Sequence, residues 1–245
     1  MIGQCYSPSG KKYNIIILAG GKGTRIGESS NYIPKALSLL GNRRAIDYII
    51  EKYINVAQRF TIGVGHHADL LVSYIKNHYS NIPITFVHEN SDELKNNGHS
   101  TLCCLDYTDS NYGLIIAFCD LLMLGNNSIE DDSIFLATDK TKGNIGTFRH
   151  YVCTKQGVVL EAVNPIKPDS TMSGVLGTFI IGNTPLFKHI AYGVYDSITD
   201  LTWDMVVPYI SKIEKINFKL CDSVYEFGTE QDLMLVRKLW EDTAK

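Results

Sequence analysis

Five consecutive apolar residues, Ile15 to Ala19, run directly into Gly20-Gly21-Lys22-Gly23-Thr24-Arg25. An unbroken apolar run of this length suits a strand covered on both faces, whereas a strand with one wet face alternates. The chain must therefore supply layers on both sides of that strand. Gly20, Gly21 and Gly23 let the backbone turn sharply and bring successive N–H groups against a ligand with no Cβ in the way. Lys22, Arg25 and Lys35 add positive charge around them. Exposed amides beside cations are what a polyphosphate needs, because they offer charge-assisted hydrogen bonds with little reorganisation.

Two familiar phosphate loops do not fit. A P-loop requires G-x-x-x-x-G-K-[ST], and Lys22 is followed by glycine. The dinucleotide fingerprint requires G-x-G-x-x-G, and Gly21, Gly23 and Gly27 are spaced one residue too long. A plain glycine turn after a core strand, with its charges in water, explains the loop taken alone.

The periodicity beyond the loop alternates. Ile46, Ile49, Ile50, Tyr53, Ile54 and Ala57 recur at helical spacing, Phe60, Ile62 and Val64 read as a strand, and Ala68, Leu71, Val72 and Ile75 as a second helix. Residues 82–87 give a further strand, and Gly113 to Asp120 a central one ending in an acid. This rhythm predicts an α/β chain with a mostly parallel, doubly wound sheet, whose ligands bind beyond the carboxyl ends of the strands. The Gly20 loop falls at such an end. Residues 124–132 read as an acidic, solvated turn, and 147–153, 158–163 and 172–182 as strands. Thr229 reads as the N-cap, with Asp232 at the third helical position, of a final helix packed through Leu233, Val236, Leu239 and Trp240.

Leu18 to Arg25, followed after a spacer by Pro34-Lys35, reproduces L-A-G-G-x-G-T-R…P-K without a substitution. At these residues the chain resembles the nucleotidyltransferase superfamily of sugar-nucleotide pyrophosphorylases and small cytidylyltransferases. The resemblance implies a Rossmann-like (GT-A-like) fold, a mostly parallel sheet flanked by helices with a smaller β-rich acceptor-binding subregion. It implies one domain: a nucleotide-binding half over about 13–125, an acceptor-binding half over about 126–228, and a C-terminal helix over 229–245. Nucleotide binding would fall to Leu18, Ala19, Gly20, Gly21, Gly23 and Thr24, with Asn97 and Ser100 in a polar turn facing the base. Arg25 and Lys35 would be catalytic. Asp120 would hold Mg2+, as the family's aspartate after this strand does.

Several positions depart from the family's pattern. Glu226 in Glu-Phe-Gly-Thr stands where sugar-nucleotide enzymes carry D-I-G-T, which keeps a second carboxylate for the metal but lengthens it by one methylene. Lys167 stands where the pyrophosphorylases have E-K-P, but Ile166 replaces the acid, which argues against a standard hexose 1-phosphate. A surface Lys-Pro turn explains Lys167 as well. Gly177 resembles a glycine flooring the acceptor pocket, and a bulge explains it equally. An Asx or Ser cap accounts for Asn97 and Ser100 without a ligand. His66, His67 and His88 fit no metal cage and read as surface or capping residues, while His99 could touch the base.

The net charge of −3 supplies no basic footprint for nucleic acid. No apolar run reaches the length of a membrane span, the first twelve residues lack a secretory core, and the six cysteines show no zinc or C-x-x-C spacing. A cytoplasmic protein with reduced cysteines is expected. The Asn-Asn-Gly-His-Ser turn and the missing acid point to transfer of CMP from CTP to a small phosphorylated acceptor, such as phosphocholine or phosphoglutamine, with pyrophosphate released, for capsule-type precursor synthesis. A sugar 1-phosphate nucleotidyltransferase and a non-catalytic nucleotide-binding subunit stand as alternatives. A glycosyltransferase of related fold would carry D-x-D, which Asp120-Leu121-Leu122 does not supply.

Overall fold

The computed structural model describes residues 3–26, 32–89, 96–129, 134–138, 151–155, 158–163, 172–195, 206–220 and 224–243. Four parallel strands carry the first half: β1 (Tyr13–Leu18), β2 (Ala57–Val64), β3 (Ile84–His88) and β4 (Gly113–Phe118). They lie side by side in the order β3-β2-β1-β4, so β1 is central and the chain reverses its direction of winding between β1 and β4. Ile15 and Ile17 point to one face, where they meet Ile46, Ile49, Ile50 and Tyr53 of helix α1 (Ala45–Tyr53). Ile16 and Leu18 point to the other, against Cys104 and Leu105 of helix α3 (Asn97–Leu105). Both faces are dry, which is why this strand does not alternate. Each such isoleucine contributes about 1.5–3 kcal/mol of apolar burial.

Helix α2 (Ala68–His78) joins β2 to β3. Helix α1 ends at Tyr53, earlier than its apolar spacing suggested. Residues 54–56 turn and Ala57 begins β2, where it pairs with Tyr13. The sheet then continues through antiparallel strands, β5 (Ile134–Thr138), β6 (Tyr151–Lys155), β7 (Val158–Val163), β8 (Met172–Ile181) and β9 (Asn217–Leu220). β8 joins the halves: its end pairs antiparallel with β4, Ile180 opposite Ile115, while its other edge carries β5. β5 and β9 form the parallel pair of this half. The architecture is the mixed α/β fold with a parallel centre and flanking helices that the sequence predicts. Helix α4 (Thr184–Tyr195) and the short helix α5 (Val207–Ile210) cover the α3 face, and α6 (Glu230–Thr243) closes the other.

Two polar anchors hold the loops that flank the core. Asn14, wholly buried at the start of β1, donates to the carbonyls of Asp109 and Gly113 and accepts from the Asp109 N–H. Lys52 on α1 reaches the Gly125 carbonyl and Asn127 Oδ1. Asn127 and Ser128 are buried and pair with Cys5 and Tyr6. The acidic turn expected to be solvated is therefore partly inside, because a buried lysine satisfies its carbonyl. Among the described residues no helix is long and apolar enough to cross a membrane.

Candidate active site

β1 delivers the glycine loop to the carboxyl edge of the parallel strands. The ladder runs one step past the strand, with the Ala19 N–H donating to the Gly63 carbonyl at 3.0 Å, and then the chain turns away. Gly23 sits in the left-handed region at φ 65°, where glycine carries no Cβ penalty, and a 3-10 turn over Thr24–Ile26 follows. Gly65 lies so close behind the loop that a Cβ there would meet the Gly20 carbonyl at 2.5 Å. The His66 N–H donates to that same carbonyl. Ile26 is buried beneath, while Lys22, Thr24 and Arg25 stay exposed.

A second 3-10 turn, Lys35–Leu37, starts after Pro34 in extended conformation. Ala36 and Leu37 are buried and fix the turn, which directs Lys35 into the cleft. Its ammonium forms a direct ion pair with Asp120 Oδ2, just past the end of β4. Leu121–Met123 then pairs antiparallel with Val224–Glu226, placing Glu226 opposite Leu121, and the Phe227 N–H donates to the Asp120 carbonyl at 3.0 Å. Two acids distant in sequence become neighbours. A Cβ on Gly228 would lie 3.1 Å from Glu226 Oε1 and 3.7 Å from Arg25 Nη1, so the guanidinium adjoins the same corner.

Leu18, Gly20, Gly21, Gly23, Thr24 and Arg25 thus share one cleft of about 520 Å3 with Lys35, Asn97, Ser100 and Asp120. Ala19 is buried within the same loop. Gly177 lies on β8 at a register shift, where Leu136 faces Thr178 and Ala137 faces Leu176. It is the extra residue of a β-bulge, which accounts for a glycine there. Lys167 lies outside the described residues. The cap of α3 is Asn96, whose Oδ1 accepts from the His99 N–H, so neither Asn97 nor Ser100 is spent on capping. The His99 ring turns to Asn96 as well. At α6 the expected cap is present: Thr229 Oγ1 accepts from the Asp232 N–H and donates to its carboxylate.

The charges respond to one another. Burial works against the Lys35 ammonium, but Asp120, Cys119 and Glu226 outweigh it and its pKa ends above the ordinary value. Glu226 is pushed up to about 7, by burial first and then by the like charge of Asp120, with Lys35 and Arg25 pulling the other way. Two carboxylates competing for one cation are what a hard metal ion resolves. Among the described residues no group of three or more His, Cys, Asp or Glu side chains gathers as a metal cage. The pair therefore fits an ion whose remaining ligands are phosphate oxygens and water, the usual manner of Mg2+. Cys119, pushed up to about 12 by burial, is a neutral thiol and no nucleophile.

Glu89 is a cleft residue that motif reading passes over. It follows β3, its N–H donates to the Val64 carbonyl, and its carboxyl lines the cleft wall. Ser100 Oγ donates to Oε2 at 2.9 Å, and Oε1 is buried with no hydrogen-bond partner among the described residues. The available signal was an acid one residue past a strand that ends at the ligand edge of a parallel sheet.

Residues 15–131 match the MobA-like NTP transferase domain family. Over that segment, just under half of its length, the chain is similar to nucleotidyltransferases. Among its relatives is the UTP–glucose-1-phosphate uridylyltransferase of Haloferax volcanii, 23% identical over 197 residues, a match covering 74% of this chain and 76% of that protein. The fold of the chain is shared with the CTP:phosphocholine cytidylyltransferase from Streptococcus pneumoniae, at a TM-score of 0.72 and 20% identity over 93% of this chain and 99% of that one. It is shared equally with an apo UDP-glucose pyrophosphorylase, at a TM-score of 0.76 and 15% identity over 96% and 100%.

Proposed function

We propose that this nucleotidyltransferase transfers CMP from CTP to a small phosphorylated acceptor and releases pyrophosphate, supplying an activated precursor for a cell-surface polysaccharide such as a capsule. The observation that carries the reaction type is the Lys35–Asp120 ion pair facing the glycine loop, with Arg25 and Glu226 at the same corner. An acceptor phosphate is already ionised near neutral pH, so no general base is needed. One of its oxygens attacks the α-phosphorus of CTP in line, the new P–O bond forms as the α–β bridge breaks, and the electron pair leaves on pyrophosphate. Charge neutralisation and alignment then supply the catalysis.

Each residue has a part in that alignment. The amides of Gly20 to Gly23 cradle the triphosphate, and Arg25 holds the β- and γ-phosphates as charge builds on the leaving group. Lys35 exchanges its contact with Asp120 for the α-phosphate and the incoming acceptor oxygen. Asp120 and Glu226 would hold Mg2+, which when bound supplies a hard positive charge against the triphosphate. The resemblance assigns Lys167 to the acceptor's phosphate and Gly177 to the floor of its pocket. A reaction that consumes CTP belongs in the cytoplasm.

CTP is favoured by the Asn-Asn-Gly-His-Ser segment, whose Asn96, Asn97 and Ser100 line the cleft, and by Ile166 in place of the family's acid. A sugar 1-phosphate acceptor with UTP is the second reading, and the Haloferax relative favours it. Pyrophosphate release with Mg2+, measured for CTP, UTP, dTTP, GTP and ATP against phosphocholine, phosphoglutamine and hexose 1-phosphates, decides between them. Release confined to CTP with a non-sugar phosphate supports the proposal. Release with UTP and a hexose 1-phosphate replaces it with the second reading, and nucleotide binding with no turnover in any pairing contradicts both.

A further inference from the structure

Lys35 is delivered by a turn that draws its support from elsewhere in the chain. The 3-10 turn Lys35–Leu37 closes two backbone hydrogen bonds, from the Leu37 N–H to the Pro34 carbonyl at 2.8 Å and from the Ser38 N–H to the Lys35 carbonyl at 2.9 Å. A turn this short has poor hydrogen-bond geometry and offers its last carbonyls no donor of its own. The Leu37 carbonyl takes one from a side chain seven residues on, since Arg44 Nη1 donates to it at 2.9 Å. The Ser38 carbonyl accepts from the N–H of Ala45, the first residue of α1, also at 2.9 Å. The turn is thereby tied twice to the start of α1.

Arg44 is itself fixed. Gly41, at φ 63°, reverses the chain so that Leu39–Leu40 pairs antiparallel with Arg43–Arg44. The Arg44 N–H donates to Asp47 Oδ2 at 2.9 Å, and the buried Asp47 carboxyl accepts the hydroxyls of Tyr74 and Tyr79 at 2.8 and 2.9 Å. A hydrogen-bonded path therefore runs from α2 through Asp47 and Arg44 to the turn that carries Lys35. The neighbouring Arg43 is engaged elsewhere: its guanidinium pairs with Glu51 and lies 5.0 Å from the centroid of the Tyr48 ring. Arg44 is not part of the cleft lining, so whatever it does for the chemistry passes through the Lys35 backbone.

We propose that Arg44 is a positioning residue for the reaction, holding the Lys35 backbone so that the ammonium, on leaving Asp120, meets the α-phosphate. This rests on the nucleotidyl-transfer reading above and adds to it a residue that belongs to none of its motifs. Lysine carries a point charge on a flexible four-carbon stem, so its reach is accurate only where its own Cα is held. An Arg44 that merely braced α1 would matter equally whether or not residue 35 is a lysine.

The test is steady-state kinetics on the pairing of nucleotide and acceptor that the wild-type chain turns over in the panel above. It compares wild type, Arg44→Met, Arg44→Lys, Arg43→Met, Lys35→Ala and the double variant of Lys35→Ala with Arg44→Met, each with a thermal melt. Arg44→Met keeps the apolar stem and removes the donor. It should lower kcat by about ten- to a hundredfold, the effect of misplacing a catalytic group by about 1 Å, with the KM for nucleotide little changed. Arg44→Lys restores a donor and should recover part of that loss, and Arg43→Met should keep the wild-type kcat. In the Lys35→Ala background Arg44→Met should lower kcat no further, because no ammonium is left to place, while its effect on the melting temperature should be the same in both backgrounds. If Arg44→Met does not fold, Arg44→Lys takes its place in both backgrounds, and its smaller loss should likewise vanish without Lys35. A wild-type kcat in Arg44→Met, or an equal fold-loss with and without Lys35, would overturn the assignment. Turnover that Lys35→Ala lowers and Arg44→Met does not removes the role of Arg44 alone, whereas a wild-type chain that turns over no pairing removes nucleotidyl transfer as well.

Discussion

Lys35 carries two burdens at once, since its ammonium neutralises Asp120 in the resting cleft and is assigned to the α-phosphate in the reacting one. Lys35→Ala should therefore lower turnover by about two to three orders of magnitude, as loss of one transition-state donor does, while circular dichroism stays native. It also leaves Asp120 and Glu226 facing each other without their cation, a destabilising arrangement. Added Mg2+ should then raise the melting temperature of Lys35→Ala by more than that of the wild type, and an equal shift would remove Asp120 and Glu226 as its ligands. Burial raises the Glu89 pKa, and the hydrogen bond from Ser100 opposes this with less effect.

Among the elements, the ends of β1, β2 and β3 act as one unit, because Gly20, Gly63 and Glu89 share a single packed space. Gly63→Ala alone should weaken folding and nucleotide binding, since its Cβ would displace the Glu89 carboxyl. In the double variant with Glu89→Ala that clash disappears, so the two losses should be less than additive in thermal melts. Gly65→Ala offers no such relief: the neighbour is the backbone carbonyl of Gly20, which cannot move without moving the loop. What was legible here in the sequence was local. The glycine run, Arg25, the Pro34-Lys35 pair and the strand ending at Asp120 each announce themselves within a few residues, and the glycines, Arg25, Lys35 and Asp120 all line the cleft. Glu89 does not, because its meaning lies in glycines 26 and 69 positions away, brought alongside by parallel pairing. The α3 cap was displaced by one residue, to Asn96, since every position of an Asn-Asn pair looks alike until the helix chooses its first turn. The turn over residues 124–132 reads as solvated because nothing nearby in sequence says that Lys52 will reach the Gly125 carbonyl and Asn127.

Over the whole molecule, the order β3-β2-β1-β4 puts the switch in winding between β1 and β4, and the residues assigned to the proposed reaction follow both strands, the glycine loop after one and Asp120 after the other. The chain returns from its antiparallel half to lay Glu226 beside Asp120, so the metal pair assigned here depends on contacts between residues 106 positions apart. The resemblance in motif pointed to both acids, and only the strand pairing explains how they meet. The same closure brings Gly228 to Arg25, coupling the C-terminal helix to the phosphate loop. Removal of Mg2+ by chelation should accordingly abolish turnover and lower the melting temperature measured with CTP, with both restored on adding the ion back. The most direct test of the account is pyrophosphate release by the wild-type chain and by Lys35→Ala, with CTP, Mg2+ and the acceptor panel. Acceptor-dependent release should fall by about two to three orders of magnitude in the variant. Release that Lys35→Ala leaves unchanged would contradict it.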